Sequence, residues 1–236
     1  MSDQQRLDIP EPPTRPSQGL PRWADIVIAI VGLILVSPIL VAAAIAIKLS
    51  SRGPVIYRQR RVGRDGVIFD LFKLRTMREG ADPIGVGTAV TAEDPRVTRV
   101  GALLRRFSLD ELPNLFNVLR GEMRIVGPRA TLPAQVQLYT PRQLRRLELR
   151  PGVTGWAQIH GRAGIPWEER IELDVWYVEH RSLKLDLQIL RRTPGALLGG
   201  AGSVAVDPYA GSSEDSPLRR AAEREESITR SGGEGD

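Results

Sequence analysis

Twenty-two consecutive residues, Ile26 to Ile47, carry no charge, and no other feature of the chain narrows its fold as much. A helix that crosses the hydrocarbon core of a bilayer needs about 20 apolar residues. A cleaved signal peptide fits poorly, because the run is too long and no small-residue cleavage site precedes the basic stretch after it. A buried helix of a soluble protein is the competing reading, although such helices seldom keep more than about 14 apolar residues in a row. Ser37-Pro38 falls in the middle of the run. Pro38 has no N–H and disfavours helical geometry at Ser37, so a break is expected there.

The flanks bear on topology. Arg22 precedes the run, and Lys48, Arg52, Arg58, Arg60 and Arg61 follow it. Positive residues mark the cytoplasmic side, which places the body of the chain there. A basic residue on both flanks is what a segment entering and leaving by one face would show, while a simple span stays open on these residues alone.

The remaining organisation follows from composition. The first 21 residues include Pro10, Pro12, Pro13, Pro16 and Pro21 and read as a disordered lead; residues 199–236 read as a disordered tail, with a membrane-embedded helix at 22–48 and a catalytic domain at 49–198 between them. The net charge of +5 is uneven. Residues 1–22 are neutral and residues 207–236 carry four Arg against eight acids, so the middle holds the cationic excess. Such a body suits phosphate-bearing substrates, an anionic membrane face or a polyanion. With no cysteine, thiolate metal sites, disulfides and cysteine nucleophiles are excluded. His160 and His180 are too isolated for a histidine-rich zinc site.

The expected fold class is α+β and helix-rich. Val55–Gln59 and Val67–Lys73 flank the turn at Gly63–Gly66 and predict a small β-hairpin. Helical patterns cover 98–107, 109–120, 132–149, 167–180 and 183–198, the last two with apolar stripes and basic or polar faces that suit a membrane interface as well as a core.

Chemistry concentrates between Arg105 and Ala130. Ser108-Leu-Asp-Glu111 has the form of a capping box, with both acids in a first helical turn. Yet Arg99, Arg105, Arg106, Arg120, Arg124 and Arg129 surround Asp110 and Glu111 in the chain, more cation than two carboxylates need. Guanidinium forks match phosphate oxygens, and a carboxylate among them stays ionised as ligand or nucleophile. Magnesium held by few carboxylates and by substrate phosphates fits the same pattern. Lys73 and Arg75 are expected on one face of the second hairpin strand, and Arg150 opens a Gly-rich turn.

In order, the chain shows the Ser37-Pro38 apolar segment, R-x-G-x-x-G and K-x-R-T-M (61–77), S-L-D-E-L-P-N-L (108–115), L-R-G-E-M-x-I-V-G-P-R (119–129), R-P-G-V-T-G-W-A-Q (150–158), E-L-D-V-W-Y-V (172–178) and L-D-L-x-I-L (185–190). This series resembles the bacterial sugar transferase family, the monotopic polyprenyl-phosphate phosphoglycosyl transferases in their minimal catalytic form. The resemblance implies a re-entrant membrane helix broken at Ser37-Pro38, and a catalytic domain on the cytoplasmic face of the bacterial inner membrane. It implies transfer of a sugar 1-phosphate from a UDP-sugar to polyprenyl (undecaprenyl) phosphate, with release of UMP, as the first membrane step of glycan or exopolysaccharide synthesis. Asp110 would be the nucleophile and Glu111 its dyad partner, with Mg²⁺ as cofactor held at the pair. Arg105 matches the family's phosphate-contacting arginine, and Lys73, Arg75, Arg129 and Arg150 match positions lining the nucleotide or phosphate sites. Membrane lipid is an implied partner and nucleic acid is not; a homo-oligomer is left open. Departures fall at Ala130, at residues 160–163 and at Lys184. They bear on sugar or nucleotide specificity. A basic membrane-tethered binding module, and a transferase that moves sugar alone and releases UDP, are the alternative readings.

Overall fold

The apolar run forms one long helix that packs on the core of the chain along a single stripe. A computed structural model describes residues 5–7, 18–78, 80–81, 94–161, 165–198 and 220. Helix α1 spans Arg22–Ser50, 29 residues or about 43 Å at 1.5 Å per residue. Its inward stripe is Asp25, Ala29, Leu33, Val36, Leu40, Ala43 and Ile47, the spacing of one helical face. Outside that stripe Trp23, Val27, Ile30, Val31, Ile34, Leu35, Ile39, Val41, Ile45 and Leu49 are uncovered.

The expected break at Ser37-Pro38 does not interrupt the helix. Pro38 cannot donate to the carbonyl four residues back, that of Ile34; the Ser37 hydroxyl donates to it instead at 2.8 Å. A side chain thus replaces the missing backbone donor and helical geometry continues.

Strands β1 (Ile56–Val62) and β2 (Ile68–Leu74) form the predicted hairpin, with β1 running three residues further toward the turn than expected and β2 shifted by one, and with Tyr57 opposite Lys73 and Arg61 opposite Phe69. Residues 5–7 lie against its turn: Leu7 N–H donates to Gly66 O and Ile68 N–H to Gln5 O, both at 3.0 Å. Leu20 N–H donates to Asp186 at 2.7 Å. These two pieces of the 1–21 lead are therefore bonded to the body, where disorder was expected; the rest of the lead and all of 199–236 except residue 220 lie outside the described residues.

Helix α2 (Arg99–Arg106) is capped by Thr98, whose hydroxyl accepts from Gly101 N–H at 2.9 Å. The helix expected at 109–120 is instead a 3₁₀ turn at Leu109–Glu111 followed by α3 (Asn114–Arg120), separated by Pro113. The capping box does not form. Ser108 has φ 54°, a left-handed conformation, whereas an N-cap needs extended geometry to reach the free N–H groups.

Beyond α3, β3 (Arg124–Val126) pairs in parallel with β4 (Gly152–Thr154). A Cβ on Gly152 would stand 2.1 Å from Gly127 N, so this crossing admits no side chain. The expected helix at 132–149 is three short pieces, α4 (Pro133–Val136), α5 (Pro141–Leu144) and a 3₁₀ turn at Arg145–Glu148. Pro133 and Pro141 each begin a helix, the position that tolerates a missing N–H, and so divide the stretch. Thr140 and Gln143 form a reciprocal capping box that fixes the second start.

After α6 (Trp156–Ile159), α7 (Trp167–His180) and α8 (Leu183–Leu198) match the predicted bounds. Ile171, Val175 and Val178 are buried as the α7 stripe requires. On α8 the inward residues are Leu185 and Ile189, while Leu183 and Leu187 face outward uncovered. The main core joins Ala29 of α1, Phe69 and Leu71 of β2, Leu115 and Val118 of α3, Tyr177 of α7 and Ile189 of α8.

Candidate active site

Asp110 and Glu111 occupy the 3₁₀ turn between α2 and α3, directly after the left-handed Ser108. A left-handed non-glycine residue costs about 1 kcal/mol, and such strain persists where the surroundings over-determine it. Here it opens the turn that carries both acids.

Glu111 reaches the hairpin and the loop after β3. Lys73 Nζ donates to its Oε1 at 3.0 Å, and Arg129 Nη2 donates to the same oxygen at 2.6 Å. Arg129 Nη1 stands 3.5 Å from Oε2. Burial opposes ionisation of Glu111, but Arg129 and Lys73 outweigh it and hold the carboxyl well below its ordinary range.

Asp110 has the opposite character. It is 9% exposed, and among the described residues no hydrogen bond or ion pair ties its carboxylate. Burial pushes its pKa up to about 6, with Glu111 adding to the rise against the pull of Lys73, Arg105 and Arg129. One acid is a fixed anion; the other is a free carboxylate of raised basicity.

Arg105 lies in the same neighbourhood, its Nε donating to Thr76 Oγ1 at 2.9 Å. Burial lowers its pKa, against the opposing pull of Asp110. Arg129 is aimed from behind. Its backbone N–H donates to Asp174 of α7 at 3.3 Å, and its carbonyl accepts from Arg146 at 2.9 Å. Arg146 and Asp174 form a buried ion pair, and Arg146 also donates to Tyr139 Oη at 2.8 Å.

Not every expected residue meets the pair. Arg75 points away from Lys73, donating to Ser51 O at 2.8 Å and Ser51 Oγ at 3.0 Å, because β2 ends between them at Leu74. Arg150 is exposed, and the charges that act on it are Arg22, Arg64, Arg124 and Asp25, not the dyad. Of the six arginines near the acids in sequence, Arg124 pairs with Asp25, Arg106 lies over Phe107 and Arg120 over Phe72. Of the six, Arg129 bonds Glu111 and Arg105 acts on Asp110 by charge.

Arg61 was missed as a site residue. Its Nη1 donates to Ala130 O at 3.1 Å and its Nη2 to Gln59 at 2.7 Å. Burial, with Arg129 beside it, pulls its pKa down to about 10, while Glu111 opposes that fall. Strand alternation could have found it, since Tyr57, Gln59 and Arg61 share the Lys73 face of the hairpin.

Among the described residues no three acids or histidines gather as a metal cage. With Glu111 committed to two cations, Asp110 is the one carboxylate of the pair left free. That donor set suits magnesium arriving with a diphosphate, which brings most of its own oxygen ligands.

The fold and site together define a class: an α+β enzyme body built onto one long apolar helix, with an acidic pair framed by lysine and arginine. The chain belongs to the bacterial sugar transferase family, whose family model matches residues 17–200. It is 43% identical over 183 residues to the uncharacterized sugar transferase EpsL of Bacillus subtilis, covering 78% of this chain and 89% of that one. It is 38% identical over 204 residues to the exopolysaccharide production protein ExoY of Rhizobium meliloti, covering 80% and 90%. Identity to the UDP-glucose:undecaprenyl-phosphate glucose-1-phosphate transferase of Escherichia coli is 46% over 181 residues, or 72% of this chain and 38% of that enzyme.

Proposed function

We propose that this enzyme transfers a sugar 1-phosphate from a UDP-sugar to undecaprenyl phosphate through a phosphosugar held on Asp110. The observation that carries this reading is the untied, buried Asp110 carboxylate beside a Glu111 already committed to Lys73 and Arg129. A carboxylate with a pKa near 6 is ionised at neutral pH and more nucleophilic than an ordinary one.

In the first step an Asp110 oxygen attacks the phosphorus that bears the sugar, the bond to the bridging oxygen breaks, and UMP leaves with that electron pair. In the second, a phosphate oxygen of undecaprenyl phosphate attacks the same phosphorus and Asp110 departs as carboxylate. Lys73, Arg105, Arg129 and Arg61 surround the position with cations that hold phosphate oxygens and stabilise the charge shared in the transition state. Magnesium, carried by the diphosphate and touching Asp110, would supply further charge neutralisation. Glu111 keeps Lys73 and Arg129 in place. The names of the relatives from Escherichia coli and Caulobacter vibrioides, both glucose-1-phosphate transferases acting on undecaprenyl phosphate, support this reaction class.

Membrane placement belongs to the same proposal. Arg22 bonds the α3 carbonyls of Val118 and Leu119, and Asp25 pairs with Arg124; at the other end Ala43 and Ile47 pack on Leu74 and Leu104. Both ends of α1 are thus attached to one body. A straight span would carry one end about 30 Å away across the hydrocarbon core. A helix sunk into one leaflet through its uncovered apolar side, entering and leaving by the cytoplasmic face of the inner membrane, accounts for both attachments and for the basic flank after it.

The test is nucleotide release. Detergent-solubilised enzyme with UDP-sugar, Mg²⁺ and undecaprenyl phosphate is expected to liberate UMP. Release of UDP overturns the proposal, and no release with any UDP-sugar favours a binding module.

A further inference from the structure

Phe72 projects from the side of β2 opposite Lys73 and lies between two guanidinium groups. The Arg58 and Arg120 carbons stand 5.8 and 5.0 Å from its ring centroid. Both arginines are exposed, and among the described residues neither meets a carboxylate. Together with Ile56, Pro113, Phe116 and Leu119 they line a groove of about 520 Å³. Ile56, Phe116 and Leu119 are large apolar side chains left uncovered there.

The groove adjoins the membrane helix. Leu115, next to Phe116, packs on Gly32, and Arg22 holds the carbonyls of Val118 and Leu119. Arg120 therefore sits beside the end of α1 that carries Arg22 and the uncovered Trp23. Basic and aromatic residues together mark the level where a membrane segment meets water.

We infer that this groove binds an anionic phospholipid of the surrounding bilayer, with its phosphate between Arg58 and Arg120 and its upper acyl carbons against Ile56, Phe116 and Leu119. Guanidinium groups without acidic partners match a headgroup phosphate, and a zwitterionic headgroup would bring a cation against them. An identical patch on a second copy would set four arginines together, which disfavours self-association. The acceptor lipid is disfavoured by position. Asp110 precedes the start of α3 and Arg120 ends it, and Phe72 and Lys73 point to opposite faces of one strand. The site rests on the membrane placement of α1 and is independent of the transfer chemistry.

The full-length chain in neutral detergent is titrated with dioleoyl-phosphatidylglycerol or dioleoyl-phosphatidylcholine while its thermal unfolding midpoint is followed. Phosphatidylglycerol is expected to raise the midpoint saturably and phosphatidylcholine to leave it unchanged. The double variant Arg58→Gln/Arg120→Gln should need at least tenfold more phosphatidylglycerol for half the effect, and Phe116→Ser should weaken it in the same direction. Its UMP release at saturating undecaprenyl phosphate should match wild type, which separates this site from the reaction. An equal response to both lipids, or an unaltered phosphatidylglycerol response in the double variant, overturns the assignment. So does a raised KM for undecaprenyl phosphate, or a changed oligomeric state, with that response intact.

Discussion

Asp174 accepts the backbone N–H of Arg129 at 3.3 Å, so a carboxylate buried on α7 fixes the turn that delivers a guanidinium to Glu111. Its partner Arg146 bonds the Arg129 carbonyl, which clamps that residue from both backbone sides. The E-L-D-V-W-Y-V segment thus acts on the site without touching it.

Asp174→Asn breaks a buried pair, and breaking such pairs costs about 3 to 5 kcal/mol. The variant is expected to unfold at a clearly lower temperature and, below its midpoint, to show a raised KM for the UDP-sugar because Arg129 is no longer held. Thermal unfolding and steady-state kinetics at low temperature check both effects; an unchanged KM would leave Asp174 with a purely structural role.

The pH dependence of kcat/KM should have an acid limb near pH 6, set by Asp110, since activity needs its ionised form. In Glu111→Gln that limb should move to lower pH. Burial and Glu111 raise the Asp110 pKa, and without Glu111 burial alone opposes the pull of Lys73, Arg105 and Arg129. Loss of their anchor should also lower kcat by about 100-fold, the scale set by small misplacements of catalytic groups. A limb that stays in place would contradict the coupling of the two acids.

Asp110→Asn gives a stability signature independent of turnover. The folded-state pKa is raised from 3.8 to about 6, so stability falls as pH rises between those values and the full cost of ionising Asp110 stands above pH 6. The neutral variant should gain on the order of 3 kcal/mol at pH 7.5, about 1.4 kcal/mol per pKa unit. Below pH 4 the wild-type carboxyl is protonated in both states and the gain should vanish. Melting curves of both proteins at the two pH values check the sign.

Asp25 is fully buried at the start of α1, where it pairs with Arg124 at 2.8 Å and accepts Ile125 N–H at 3.1 Å. Asp25→Ala strands Arg124 beside the core and should cost about 3 to 5 kcal/mol. It should also free the N-terminal end of α1, seen as new protease cleavage near residues 20–24. Wild-type resistance there would mean that Arg22 alone suffices as the tie.

Local signals in the sequence reported what local physics decides. Alternation around Gly63–Gly66 located the hairpin, and the stripe Ile171, Val175, Val178 located α7 with its buried face. Failures came where distant contacts or a single backbone angle prevailed. Nothing near Ser108 announces a left-handed residue, so a plausible capping box concealed the tight turn that carries the two acids. Prolines at 133 and 141 were compatible with one helix by apolar pattern and divide it by backbone chemistry. Charge proximity along the chain was the weakest guide: Arg120 lies ten residues from Asp110 and stacks on Phe72, whereas Lys73, far earlier, bonds Glu111. Short parallel strands such as β3 and β4 carry almost no pattern of their own.

A covalent route requires Asp110 to take the phosphosugar before any acceptor is present. Intact-protein mass spectrometry after mixing the enzyme with a UDP-sugar and Mg²⁺, without undecaprenyl phosphate, tests it directly. A mass gain equal to one sugar phosphate on Asp110 and one equivalent of UMP are expected, and neither in Asp110→Asn. Turnover that proceeds with acceptor while no adduct or UMP forms without it would contradict a covalent intermediate.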